Sequence, residues 1–291
     1  MAIDPFPAPL VPTDWLGRRL GYPGVKVVDA SWYLPTSGRH ARQEYLQGHV
    51  PGAVFADLDE LSDPDTSLPH MFPAPRRFGE QLGRLGLANA DAIVVYDGSG
   101  ANMSAARLWW MLRLCGHERV GVLDGGSMKW RAEGRLLERG QASLPPATYR
   151  AAAPLRGLRD LGAMKSLVGS RAEQVVDARA PGRFTGEEPE PRAGLRGGHM
   201  PGARSVPYTA LVAPDGTLLP PDRLREVFAA AGVALDRPIV TTCGSGVSAC
   251  AVLLALDVLG VRTAALYDGS WTEWAAQPDT PVERGPAPPV G

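Results

Sequence analysis

The sequence predicts an α/β protein of two tandem domains, each a parallel sheet flanked by helices, and three observations lead there. Short β-branched runs alternate with amphipathic segments in both halves of the chain, the pattern of a parallel sheet covered by helices. The chain also repeats itself in the same order, at offsets of 144 to 150 residues, which marks a duplicated domain. Finally, Pro238-Ile-Val-Thr-Thr-Cys243-Gly244-Ser245-Gly246-Val247-Ser248-Ala249 reads as a buried strand, a tight glycine turn and a helix.

The repeat fixes the order of elements. Val27-Val-Asp29-Ala30 recurs as Val175-Val-Asp177-Ala178, and Gly48-His49-Val-Pro-Gly-Ala53 recurs as Gly198-His199-Met-Pro-Gly-Ala203. Ile93-Val-Val-Tyr-Asp97-Gly-Ser-Gly100 pairs with Ile239-Val-Thr-Thr-Cys243-Gly-Ser-Gly246, and Leu123-Asp124-Gly125 with Trp130 pairs with Tyr267-Asp268-Gly269 with Trp274. In the second half the expected elements are a helix from Leu158 to Val168, a strand from Gln174 to Asp177 and a long loop from Pro181 to Pro201. A helix near Pro221 to Ala231, the Ile239 strand, a helix from Ser248 to Leu259, a strand from Thr263 to Tyr267 and a closing turn from Trp271 to Ala275 follow. Arg139 to Arg156 carries Pro145, Pro146 and Pro154 and little periodicity, so domains are expected at 10–140 and 158–285 with a linker at 141–157. The Pro-rich tails are expected to lie extended over the surface.

Composition excludes several function classes. Lys+Arg 30 against Asp+Glu 31 leaves a net charge of -1, with no basic excess to hold nucleic acid or a membrane surface. No apolar run approaches the roughly 20 residues of a spanning helix, and the opening MAIDPFPAPLVP lacks a secretory pattern. A cytoplasmic monomer is the expectation. Three cysteines without close pairing and five dispersed histidines suggest neither a disulfide framework nor a metal site. No cofactor is expected. Cys115 ends an amphipathic run from Trp109 to Leu114, Cys250 lies inside a helical run, and both read as packing residues.

Cys243 is different, because it stands where a strand turns into a helix. Backbone N–H groups and the helix dipole favour an anion there and lower a thiol's pKa below its free value of about 8.5. Gly244 and Gly246 let the backbone curl around the sulfur. Cys243 therefore reads as a thiolate nucleophile. The first half carries Asp97 at this position and two extra residues before Ser104-Ala105. One catalytic half and one supporting half follow.

With these residues in view, the chain resembles the two-domain rhodanese-like sulfurtransferases, and its Cys243-Gly-Ser-Gly-Val-Ser-Ala249 loop resembles their 3-mercaptopyruvate sulfurtransferase branch. The resemblance covers nearly the whole chain. It implies two rhodanese-like domains and a cysteine that takes sulfur from a small donor as a persulfide, then hands it to cyanide or a thiol acceptor, thioredoxin included. Thiosulfate-preferring members carry basic residues after the cysteine, whereas Gly244 and Ser245 are neutral. Ser248 replaces the branch's usual threonine and keeps the hydroxyl.

3-Mercaptopyruvate carries a carboxylate, a ketone and a thiol, so its site needs a cation, a polarising donor and a nucleophile. The resemblance implies that Arg183 and Arg192, nine residues apart in a Pro- and Gly-rich loop, hold the carboxylate by forked hydrogen bonds. It also implies a proton relay of Asp59, His70 and Ser245, with the site between the domains. Gly244, Gly246, Val247 and Ser248 complete the substrate-binding set. Arg179 and Arg196 read as solvated loop residues. The matched pairs His49 and His199, and Asp29 and Asp177, read as structural, the tryptophans as core, and His40 and His117 show no partner in sequence.

Thiosulfate:cyanide sulfur transfer is the alternative within the family, and a non-catalytic rhodanese-like binding module is a further one. A cysteine phosphatase would place an arginine six residues after the cysteine, where this chain has Ala249. Gly244-Ser-Gly246-Val-Ser-Ala249 also fits a loose dinucleotide fingerprint. It opens the last strand-helix unit, which leaves too little chain for that fold.

Overall fold

Two β-branched runs, Ala92–Tyr96 and Ile239–Thr242, form the central strands of two five-stranded parallel sheets. The computed structural model describes residues 5–153 and 156–287; Pro154 of the expected linker and the ends of both tails lie outside them. The chain divides into a first unit of Met1–Pro64, Phe72–Pro154 and Ala213–Leu218 and a second of Asp65–Met71, Leu155–Val212 and Leu219–Gly291.

In the first unit the elements are β1 (Leu10–Val11), α1 (Thr13–Gly17), β2 (Val25–Asp29), α2 (Ala41–Gln47), β3 (Val54–Phe55), α3 (Leu58–Leu61) and α4 (Pro75–Arg84). They continue with β4 (Ala92–Tyr96), α5 (Met103–Leu114), β5 (Val120–Leu123) and α6 (Gly126–Ala132), and the sheet runs β1-β5-β4-β2-β3. The second unit holds β6 (Leu158–Arg159), α7 (Leu161–Ser170), β7 (Gln174–Asp177), α8 (Pro181–Thr185), β8 (Arg204–Ser205) and α9 (Pro221–Ala230). After these come β9 (Ile239–Thr242), α10 (Ala249–Val258), β10 (Ala265–Tyr267) and α11 (Ser270–Ala276), in the sheet order β6-β10-β9-β7-β8. The same order in both sheets is the structural form of the sequence repeat.

Matched residues do matched work. Trp130 and Trp274 are buried, and each indole N–H donates to a backbone carbonyl at 2.9 Å, Leu136 and Pro281 respectively. His49 stacks on Tyr45 and bonds its carbonyl through Nδ1 at 2.9 Å; His199 does the same with Phe184. Both histidines are buried structural groups.

Several expected elements differ in detail. Leu158 and Arg159 pair with β10 as an edge strand rather than opening a helix. Helix α7 starts only after Asp160, whose carboxylate accepts the Ala163 N–H at 2.8 Å, a capping role that ends the extended segment. The loop after Pro181 begins with the short helix α8, because Pro at the first helical position presets its φ. The closing turn is the helix α11.

The Pro-rich stretch after residue 140 does not hang free. Ala147 N–H donates to the Gly83 carbonyl at 2.8 Å, and Cβ atoms at Gly79 and Gly83 would meet the Tyr149 and Ala147 carbonyls at 2.7 and 2.5 Å. Glycines on α4 thus let the strap lie on the helix backbone. Tyr149 OH reaches His117 Nδ1 at 2.9 Å while His117 Nε2–H donates to the Asp91 carbonyl at 3.0 Å. His117 therefore has the partners that the sequence did not reveal, and burial lowers its pKa.

Asp29 and Asp177 end matched strands, but Asp177 faces Arg179 whereas Asp29 has Ser31 two residues on. Burial pushes the Asp29 carboxyl from 3.8 up to about 6. The folded state then binds this proton more tightly than the unfolded chain, so stability falls as pH rises from about 4 to about 6. About two units correspond to about 3 kcal/mol. Asn keeps the acceptor for the Ser31 N–H. Asp29→Asn is expected to gain about 1–3 kcal/mol at pH 7.5 and little at pH 4 by urea unfolding; equal gains at both pH values would exclude this account.

Candidate active site

Cys243 follows β9 directly, at the carboxyl end of the central strand of its sheet, where parallel sheets place their ligand sites. Its side chain is 2% exposed. The Cys243 N–H donates to Ser270 Oγ at 3.2 Å and its carbonyl accepts the Trp271 N–H at 2.9 Å. Gly244 is tied down by Thr272, whose N–H and hydroxyl donate to its carbonyl at 3.0 and 2.6 Å. Gly246 adopts φ +77, and its carbonyl accepts the Cys250 thiol at 3.3 Å. Helix α10 then starts without a side-chain cap at Ser248.

The first copy shows what this loop shape holds. Asp97, 1% exposed, stands in place of the cysteine. Its carboxylate accepts the Ser99 N–H at 2.8 Å, the Ser104 N–H at 2.9 Å and the Ala105 N–H at 2.8 Å, with the Ser99 and Ser104 hydroxyls at 2.6 and 3.1 Å. The counterparts of these donors are Ser245, Ser248 and Ala249. Among the described residues, the Ser245 and Ser248 amides donate to no protein acceptor. An anion on the Cys243 side chain would find the donor set that its own duplicate uses for a carboxylate.

His70 and Ser245 meet within the second unit. His70 is 5% exposed at φ +61, and its Nδ1 lies 2.9 Å from Ser245 Oγ. A non-glycine residue held at positive φ is a conformation that the surroundings must impose. The resemblance implies a site divided between the domains, but the structure groups Asp65–Met71 with the second unit, so the His70–Ser245 pair is internal to it. Asp59 belongs to the first unit, in α3, where its Oδ2 accepts the Trp32 indole N–H at 3.3 Å.

The arginines are less free than the sequence suggests. Arg183, in α8, ion-pairs with buried Glu190 at 2.5 Å, and its Nη2 would stand 3.0 Å from a Cβ at Gly244. It therefore lies against the nucleophile's loop. Arg192 is half-buried in the same segment. Arg179 is not solvated but 1% exposed, paired with Asp177 and Glu190, both at 2.7 Å. Burial opposes its charge, yet these carboxylates hold the guanidinium above its ordinary range. Arg196 is also a structural residue, donating to the Ala275, Thr280, Trp274 and Gln277 carbonyls.

Sequence reasoning missed Glu190, Ser270 and Thr272. Glu190 was visible only as one acid among three in Glu187-Glu-Pro-Glu190. Ser270 could have been flagged by the repeat, since its counterpart is Gly126 and both hold positive φ, +50 and +54. Among the described residues no group of His, Cys, Asp and Glu could hold a metal, and no helix is long and apolar enough to cross a membrane.

Known proteins place the chain. It is 42% identical over 296 residues to thiosulfate/3-mercaptopyruvate sulfurtransferase 1, mitochondrial, of Arabidopsis thaliana, covering 94% of this chain and 78% of that one. It is 41% identical over 283 residues to 3-mercaptopyruvate sulfurtransferase of Homo sapiens, covering 95% of each. The solved structure of SseA from Escherichia coli, described as a 3-mercaptopyruvate sulfotransferase with the rhodanese fold, aligns with a TM-score of 0.83 at 41% identity, covering 90% of this chain and 98% of that one. The rhodanese-like domain model matches residues 12–133 and again 160–277, so the chain belongs to the rhodanese family, with one such domain in each half of its sequence.

Proposed function

We propose that the chain is a 3-mercaptopyruvate sulfurtransferase, taking the donor's sulfur onto Cys243 as a persulfide and releasing pyruvate. The observation that carries the reading is the amide set beside Cys243, whose counterparts hold the Asp97 carboxylate. A persulfide is an anion of the same charge.

The Cys243 thiolate attacks the donor sulfur and a sulfur–sulfur bond forms. The donor's carbon–sulfur bond breaks, its electron pair leaves with the methylene carbon, and the donor's thiol proton ends on that carbon as the methyl group of pyruvate. Ser245, bonded to His70, polarises the ketone and passes the proton. Arg183 and Arg192 hold the carboxylate. Gly244, Gly246, Val247 and Ser248 wrap the sulfur. Asp59 enters this relay on the family resemblance alone. The persulfide then passes its outer sulfur to a thiol, thioredoxin or cyanide. A cytoplasmic monomer, without metal or cofactor, completes the reading.

Thiosulfate is the second reading, favoured by the double name of the Arabidopsis relative. Neutral Gly244 and Ser245 weigh against it, since a dianion gains from cations beside the nucleophile. Comparing kcat/KM for both donors with cyanide as acceptor decides: 3-mercaptopyruvate is expected to win by at least about tenfold, and a preference for thiosulfate overturns the assignment.

A further inference from the structure

Behind the nucleophile's loop runs a buried ladder of alternating charges. Asp177 Oδ2 pairs with Arg179 Nη2 at 2.7 Å, Arg179 Nη1 with Glu190 Oε1 at 2.7 Å, and Glu190 Oε2 with Arg183 Nη2 at 2.5 Å. The first three side chains are at most 3% exposed and Arg183 is 16% exposed. The rungs read minus, plus, minus, plus and cancel. The last rung is the one that lies against Gly244, next to Cys243. The cation beside the nucleophile's loop therefore arrives with its charge already matched, and through the same Nη2 that approaches Gly244.

We infer that Glu190 is a specificity-determining residue: by neutralising Arg183 at the loop, it fits the site to a singly charged sulfur donor and against a doubly charged one. The inference rests on the proposed donor chemistry. A charge removed or added near the site changes a dianion's binding twice as much as a monoanion's. At pH 7, 3-mercaptopyruvate carries its carboxylate charge, whereas thiosulfate carries two. Arg183 can still orient a carboxylate by hydrogen bonds when its net field is cancelled, because guanidinium geometry survives pairing. Gly244 and Glu190 then act in the same direction. One omits a cation from the loop; the other mutes the cation behind it. Glu190 touches neither reacting sulfur in this scheme and acts through Arg183, so it is a positioning and charge-setting residue, not a catalytic one.

Glu190→Gln keeps the length of the side chain and an acceptor for Arg179 while leaving the ladder with one net positive charge. With cyanide as acceptor, the ratio of kcat/KM for thiosulfate to that for 3-mercaptopyruvate is expected to rise about tenfold or more in E190Q. It should stay within about threefold of wild type in E190D, which retains the charge. A purely structural role lowers both donors alike and leaves the ratio unmoved. That outcome, in a wild type that turns over 3-mercaptopyruvate, overturns the role of Glu190 alone. A wild type that releases no pyruvate overturns the donor assignment instead. Should E190Q not fold, competition in the wild type answers the same question. Sulfate is expected to inhibit 3-mercaptopyruvate turnover no more than about threefold better than acetate, and sulfate stronger by tenfold or more contradicts the inference.

Discussion

Replacing Cys243 by serine is expected to abolish sulfur transfer, with turnover falling by at least about four orders of magnitude. The hydroxyl is a far poorer nucleophile at neutral pH, and no other thiol can substitute. Cys115 is 4% exposed and burial pushes its thiol up to about 11, which leaves it protonated and inert. Cys250 is fully buried and gives its S–H to the Gly246 carbonyl at 3.3 Å, a bond that serine can also make. Cys115→Ser and Cys250→Ser should therefore keep turnover within about threefold. Steady-state thiocyanate formation measures all three variants. Full activity in Cys243→Ser would move the nucleophile elsewhere.

The second large effect is on stability and falls in the other copy. Asp97→Ala strips the acceptor from the Ser99, Ser104 and Ala105 amides and from two hydroxyls at once. Each buried donor left without a partner costs about 1–3 kcal/mol, and relaxation of the loop recovers part of the sum. A loss of about 3–5 kcal/mol is expected for the first unit, measured by urea unfolding. Asp97→Asn should lose roughly half, since its carbonyl still serves one group of donors. Sulfur transfer per folded molecule should change little, because among the described residues the Asp97 carboxylate bonds to Ser99, Ser104 and Ala105 of its own loop. A variant as stable as wild type would mean that the carboxylate is not what closes this loop. Asp97 and Cys243 then occupy matching loops of the repeat: one copy is filled by its own carboxylate, and in the proposed mechanism the other keeps its donors for the sulfur.

Much of this division was legible in the sequence because the repeat supplied an internal reference. Aligning Ile93–Gly100 with Ile239–Gly246 exposed the exchange of Asp97 for Cys243, and periodicity located the strands that carry them. The pairing of His49 with His199 likewise predicted buried structural groups. What escaped was set by tertiary context. Arg179 reads as a loop arginine, yet a strand end places it between two carboxylates. Glu190 lies eleven residues from Arg179, and nothing local announces that its two oxygens bridge two guanidiniums. The proline-rich strap looked like a linker because the signal for its docking sits on the other partner, in glycines of α4. His70 was implied only by resemblance, and its approach to Ser245 spans 175 residues of chain.

In the proposed mechanism Cys243 itself carries the sulfur. Intact-mass and peptide-mass spectrometry of the protein incubated with 3-mercaptopyruvate, without an acceptor, tests it directly. The peptide containing Cys243 is expected to gain one sulfur atom, lost again on adding cyanide and absent from Cys243→Ser. Pyruvate release with the added sulfur on Cys115 or Cys250, or with no sulfur retained by the protein, would contradict it.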